Sequence, residues 1–192
     1  MRNGTRRGTQ TLHIVCAMSE ISLTDRVVSL RPWRPEDAEE IVECLDGDPE
    51  ISRWLDQVPQ PYTVVDARAY LGGVGEQAFA ITDSETGRVL GSIGVRWNES
   101  GDVGEIGYWI RADARGGGLM TRALVVISRW ALARDGVERL QLRADIENVS
   151  SRRVAEKAGF VLEGVLRSAH WNARRGLRQD WALYSLLPGE LA

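Results

Sequence analysis

Between residues 103 and 134 the hydrophobic period of the chain changes, and three consecutive glycines sit at the change. Val103–Ile110 reads as a strand, and Leu119–Arg134 reads as a helix with Met120, Ala123, Leu124, Ile127, Trp130 and Ala131 on one face. Arg115-Gly116-Gly117-Gly118 joins the two. Without Cβ atoms such a turn lets a ligand come close to the main chain. The unpaired N–H groups and dipole at a helix start then favour a phosphate there. The feature therefore predicts a pyrophosphate site, although a merely flexible loop would share its composition. A P-loop is excluded, because Leu119-Met120 follows Gly118 where that motif needs lysine and a hydroxyl residue. A dinucleotide fingerprint is excluded by the spacing of its third small residue and by the absence of an early βαβ unit.

The rest of the chain supplies a frame for that turn. Val27–Leu30 reads as a first strand, closed by Arg31-Pro32. Pro35-Glu36-Asp37 opens a helix striped by Ala38, Ile41, Val42 and Leu45 and ended by Gly47-Asp48-Pro49. A second helical region, interrupted by Pro59 and Pro61, ends near Gly72-Gly73. Phe79–Thr82, Val89–Val95 and Val103–Ile110 form an antiparallel meander, since their connections are too short for crossover helices. Arg139–Ala144 is a strand and Val149–Ala158 a helix capped by Gly159; Val161–Ala169 and Arg178–Leu187 are strands across the Asn172–Gly176 turn. The class is α/β (α+β), a mixed sheet with helices, in one domain over residues 21–188. Residues 1–20 are expected to be a disordered basic tail, with Met18 as an alternative start to Met1. Arg2, Arg6 and Arg7 before Leu12–Met18 look faintly like a signal peptide, but the apolar patch is short and no small-residue cleavage site follows.

Bulk properties remove several function classes. A net charge of −3 gives no general field for nucleic acid, and no apolar run is long enough to cross a bilayer. Cys16 and Cys44 suggest no disulfide framework, and with His13 and His170 they make no cluster with metal-ligand spacing. A cytoplasmic setting is expected, with no nucleic-acid or membrane partner and no metal.

The run Glu105-Ile106-Gly107-Tyr108-Trp109-Ile110, followed by Arg115-Gly116-Gly117-Gly118-Leu119-Met120-Thr121, resembles the acetyl-CoA-binding core of the GNAT N-acetyltransferase superfamily. Arg115 and Gly118 match that family's Gln/Arg-x-x-Gly-x-Gly/Ala signature, and Met120 departs at its last position. That departure is similar to the ribosomal-protein N-terminal acetyltransferase (RimJ/RimL-type) branch. Leu30-Arg31-Pro32-Trp33 with Pro35-Glu36-Asp37-Ala38, and Asn148-Val149-Ser150-Ser151 leading to Glu156-Lys157-Ala158-Gly159-Phe160, resemble the same branch. The resemblance implies a central mixed sheet splayed open in the middle, with pantetheine entering as an extra strand near Trp109–Arg111. It implies acetyl-CoA as acyl donor and a primary amine as acceptor, a protein N-terminus or a small molecule, attacking directly in a ternary complex. Its cofactor-binding residues would be Trp109, Ile110, Arg111, Arg115, Gly116, Gly117, Gly118, Leu119, Met120, Thr121, Asn148 and Lys157.

For the chemistry, Glu105 resembles the family's usual general base, expected to lie buried near apolar Ile106 and Tyr108 and so suited to accept an ammonium proton. Main-chain N–H groups around Ile110 would support the oxyanion. The tyrosine that many relatives use as an acid falls at Ala155, which leaves Ser151 or water. Asn148 is a good helix N-cap, and its family counterpart contacts pantetheine, two roles that need not compete; Arg122, Arg153 and Lys157 are candidates for the CoA 3′-phosphate. The acceptor signals conflict. Glu43, Asp46, Asp48, Glu50 and Asp56 favour a cationic amine, whereas Arg174, Arg175 and Arg178 favour an acidic acceptor or a carboxylated acyl group such as succinyl. Trp54, Tyr62, Trp109 and Trp171 offer an apolar wall. A sensor that binds acyl-CoA without turnover is the alternative to an enzyme, and the edge strand of the last hairpin suggests a homodimer.

Overall fold

The computed structural model describes residues 22–74 and 77–191, so the expected tail, with His13 and Cys16, lies outside the described residues. A short β1 (Leu23–Thr24) precedes β2 (Val28–Pro32), and a 3-10 turn at Pro35–Asp37 leads into α1 (Ala38–Leu45). The expected helix start is thus split, and the carboxylate of Asp37 explains why: it accepts from the Arg34 N–H at 2.8 Å and from both terminal nitrogens of Arg31 at 2.7 Å. The second helical region is two helices, α2 (Pro49–Trp54) and α3 (Val64–Gly73). Asp48 caps the first through the Glu50 and Ile51 N–H groups, and Thr63 with Asp66 forms a capping box on the second.

The meander is β3 (Ala78–Asp83), β4 (Val89–Trp97) and β5 (Val103–Ile110), followed by α4 (Leu119–Leu132), β6 (Arg139–Asp145) and α5 (Val149–Lys157). β7 (Val161–Asn172) and β8 (Leu177–Leu186) close the chain. The eight strands form one mixed sheet in the order β1-β2-β3-β4-β5-β6-β8-β7, in which β5 and β6 are the parallel pair. One core lies between the sheet and the α4–α5 face, built from Phe79, Ile93, Leu124, Ile127, Leu140, Leu142 and Tyr184 among others. A second core lies under α1 and α3 and includes Ile41, Leu45, Tyr62 and Ala67. Burial at Met120, Ala123, Leu124, Ile127 and Ala131 confirms the helical stripe read from the sequence.

Pairing between β5 and β6 covers Val103–Glu105 against Arg139–Gln141 and stops there, although β5 continues to Ile110 and β6 to Asp145. The sheet therefore parts in its middle. On its other side β5 remains bonded to β4 down to the Gly91↔Ile110 pair, so one edge of β5 faces the opening while the other is held.

Candidate active site

The opening belongs to a cavity of about 760 Å³ that runs from the glycine turn to the far face of the sheet. The Arg111 N–H donates to the Leu90 carbonyl at 2.9 Å. Alternation along an antiparallel ladder then turns the main-chain groups of Tyr108 and Ile110 toward the opening. The Ile110 carbonyl accepts from Arg115, Nε at 3.2 Å and a terminal nitrogen at 3.0 Å. Arg115 also grips the buried carboxylate of Asp48, with Nη1 3.2 Å from Oδ1 and Nη2 on Oδ2. Its side chain thus ties the turn to the start of α2.

Gly116 and Gly118 take left-handed backbone, φ +81° and +76°, and Gly118 is the N-cap residue of α4. Of the residues expected to bind cofactor, Trp109, Ile110, Arg115, Gly116, Gly118, Leu119, Met120, Thr121, Asn148 and Lys157 all line the cavity, as do Glu105 and Ser151. Gly117 lies in the same turn without lining it. Arg111 is turned away: its side chain holds the Val89 carbonyl at 3.2 Å and Asp113 at 2.6 Å. Asn148 caps α5 through its side-chain oxygen on the Ser151 N–H at 3.0 Å. Among the phosphate candidates, Arg153 and Lys157 line the cavity, whereas Arg122 pairs with Asp25 at 2.8 Å.

The environment expected for Glu105 is corrected by the geometry of a strand. Neighbours on a strand point to opposite faces, so Ile106 and Tyr108 enter the α4–α5 side while Glu105 faces the other way. There its two oxygens lie 2.6 and 2.7 Å from Nη2 of Arg143, and Gln141 donates to one of them at 3.3 Å. Arg143 in turn lies over the Trp181 ring, 5.0 Å from its centroid.

On the α5 side, the Tyr108 hydroxyl is 2.9 Å from the Ser151 hydroxyl and donates to the Ser151 carbonyl at 3.2 Å. Burial pushes the Tyr108 phenol up to about 12, partly offset by the Ser151 bond. Ala155 is fully buried in the core, so the phenol facing this part of the cavity comes from β5. The sequence signal for it was the alternation that places Tyr108 opposite Glu105.

Most of the charged groups on the acceptor side are engaged in internal hydrogen bonds or ion pairs. Asp46 accepts from the Tyr62 N–H at 3.0 Å, Glu50 from the Trp54 indole at 2.8 Å, and Asp56 lies on His170. Arg174 holds the Val58 carbonyl at 2.6 Å, Arg175 pairs with Glu147 at 3.2 Å and Arg178 holds the Ser168 carbonyl. Trp54 and Trp109 line the cavity, Tyr62 is buried in the second core, and Trp171 is exposed on β7. Among the described residues no group of three or more potential metal ligands occurs, and no helix is long and apolar enough to cross a membrane.

A family model described as an acetyltransferase (GNAT) domain matches residues 28–161. YdaF of Bacillus subtilis, named as a candidate ribosomal N-acetyltransferase, is 28% identical over 174 residues, covering 85% of this chain and 92% of that protein. The fold is similar to that of a GNAT-family acetyltransferase from Bacillus anthracis, with TM-score 0.80 and 19% identity over 88% of this chain and all of that one. It is also similar to the microcin C7 self-immunity acetyltransferase MccE, solved with acetyl-CoA and AMP, with TM-score 0.72 and 20% identity over 85% of this chain and 93% of that one.

Proposed function

The chain belongs to the acetyltransferase (GNAT) family, and from that premise we propose that it transfers an acetyl group from acetyl-CoA to a primary amine by direct attack in a ternary complex. The observation that carries the reading is the parting of β5 from β6 with a glycine turn and helix start at its mouth. A pyrophosphate fits the start of α4, and pantetheine fits the opening beside Tyr108 and Ile110, where an amide chain can bond to the strand edge. Arg153 and Lys157 flank the cavity for the remaining phosphate. The crystallisation of MccE with acetyl-CoA supports the donor. The name of YdaF, a candidate ribosomal N-acetyltransferase, supports a ribosomal amine as acceptor.

Within this reading Asn148 both caps α5 and offers its amide nitrogen to pantetheine. The Ile110 N–H is the oxyanion donor, and the Tyr108–Ser151 hydroxyl pair lies where the departing sulfur can be protonated. Glu105 lines the cavity from the face of β5 opposite Tyr108. Its oxygens are already held by Arg143 and Gln141, which points to a role in orienting that wall. A cytoplasmic location is part of the proposal.

A homodimer is part of the proposal. β7 is a 12-residue edge strand with Val161, Leu162, Val165 and Leu166 all exposed. Antiparallel pairing of an edge with its own copy is self-complementary. The direct test of the enzyme reading is release of CoA thiol from acetyl-CoA with peptides starting in Ala, Ser or Met, and with spermidine. Turnover with one of these amines is expected. Binding of acetyl-CoA without turnover of any would favour the sensor.

A further inference from the structure

We propose that His170, held by Asp56, takes the proton from the acceptor ammonium, an inference that rests on the acetyl-transfer reading and deepens it. His170 lines the same cavity as Glu105, Arg143 and Trp181, and Asp56 reaches it from the α2–α3 connection. Nε2 of the imidazole lies 3.2 and 3.3 Å from the Asp56 oxygens. The ring stacks on Trp181 with centroids 4.8 Å apart and planes 22° from parallel. Nδ1 has no hydrogen-bond partner among the described residues. A carboxylate that accepts the Nε2 hydrogen fixes the neutral tautomer whose Nδ1 lone pair is available, and it stabilises the imidazolium that protonation creates. Glu105, by contrast, has its oxygens held by Arg143 and Gln141.

Two further features place His170 deliberately. Leu166 pairs with Trp181 and His170 with Gln179, so β7 has two more residues than β8 across this interval. Such bulges re-aim side chains. Within it Ser168 adopts φ +55°, a left-handed conformation that a non-glycine residue keeps only where its surroundings hold it. Asp180 takes the Ser168 N–H at 2.7 Å, and Arg178 grips the Ser168 carbonyl at 2.7 Å and hydroxyl at 2.6 Å. Asp56 is fixed from the same hairpin, by the Ala173 N–H at 3.1 Å on its carboxylate and by Arg174 on its carbonyl at 3.5 Å.

The charged groups around the imidazole come from every neighbouring element. Asp56 faces it directly, and Arg143 lies against Trp181 with Glu105 beyond. Asp145 and Arg175 lie past Gln179, and Asp180 and Arg178 sit at the bulge. In the reaction, the ammonium gives one proton to Nδ1, and the freed nitrogen lone pair attacks the thioester carbonyl carbon. The C–N bond forms and the C–S bond breaks with its electron pair on sulfur. The sulfur takes a proton from the Tyr108–Ser151 hydroxyl pair, and the second nitrogen proton replaces it there, giving CoA thiol and the amide. The imidazolium then returns its proton to water.

The test uses the full chain, acetyl-CoA and the peptide and spermidine probes, with CoA release followed against pH. His170→Gln should lower kcat by about 100-fold, the low end for loss of a general base, with unchanged stabilisation by acetyl-CoA. It should also abolish the acid limb of the kcat profile, which Glu105→Gln keeps. Asp56→Asn should also lower kcat, because the imidazole loses the carboxylate that fixes its tautomer. Added imidazole should restore turnover to His170→Ala. If His170→Gln retains wild-type kcat and the acid limb, or if Glu105→Gln removes the limb instead, the assignment of His170 is overturned while acetyl transfer stands. If the wild type binds acetyl-CoA but turns over none of the probes, the acetyl-transfer reading fails and the assignment falls with it.

Discussion

Glu105 and Tyr108 lie three residues apart on one strand and reach opposite faces, and their surroundings differ accordingly. Glu105 meets a guanidinium, whereas Tyr108 is enclosed beside Ser151. The Tyr108 phenol is pushed up to about 12 from its ordinary 10.0, chiefly by burial. A proton held more tightly in the folded state gives stability that is complete below the unfolded value and lost as pH rises through the folded one. The corresponding window is pH 10 to about 12, and Tyr62, also pushed up to about 12 by burial, contributes in the same direction. Tyr108→Phe is therefore expected to cost about 1 kcal/mol at pH 8 through the lost hydrogen bond. It should also flatten the fall in Tm between pH 9 and 11, which thermal unfolding at the two pH values measures.

At the scale of elements, the glycine turn was legible because the period of the sequence changes across it, and Gly116 and Gly118 do take the left-handed backbone that glycine permits. Gly159 as the cap of α5, φ +92°, was legible for the same local reason. Gly91 was not. A Cβ there would lie 2.2 Å from the Trp109 carbonyl oxygen, a contact between β4 and β5 that only the folded sheet creates. The two glycines predict different failures. At Gly118 the space is open, so Gly118→Ala should cost only the left-handed penalty of about 1–2 kcal/mol and weaken acetyl-CoA binding. Gly91→Ala must displace backbone at the strand that borders the opening, so it should lower Tm further. Unfolding curves with and without acetyl-CoA separate the two. The side-chain partners of Arg115 were equally illegible, since Asp48 lies at the start of α2, 67 residues away in sequence. His170 and Asp56 meet across 114 residues, beyond the reach of any local pattern.

For the whole molecule, the antiparallel meander was legible from its short connections and the parting of the sheet from the family resemblance, whereas the placing of β8 between β6 and β7 was not read from the sequence. The exposed edge of β7 acts at this scale too. Light scattering is expected to give twice the chain mass for the wild type and the chain mass for Val165→Lys, since a lysine on the edge opposes pairing. The central claim is that the turn at residues 115–118 and the parted strands hold an acyl-CoA. Thermal unfolding with acetyl-CoA, using ATP as comparator, tests it most directly. Acetyl-CoA at about 100 times its dissociation constant should stabilise the chain by about 2.7 kcal/mol, a rise of several degrees in Tm, while ATP gives far less. An unchanged Tm with saturating acetyl-CoA, or an equal shift with ATP, would contradict it.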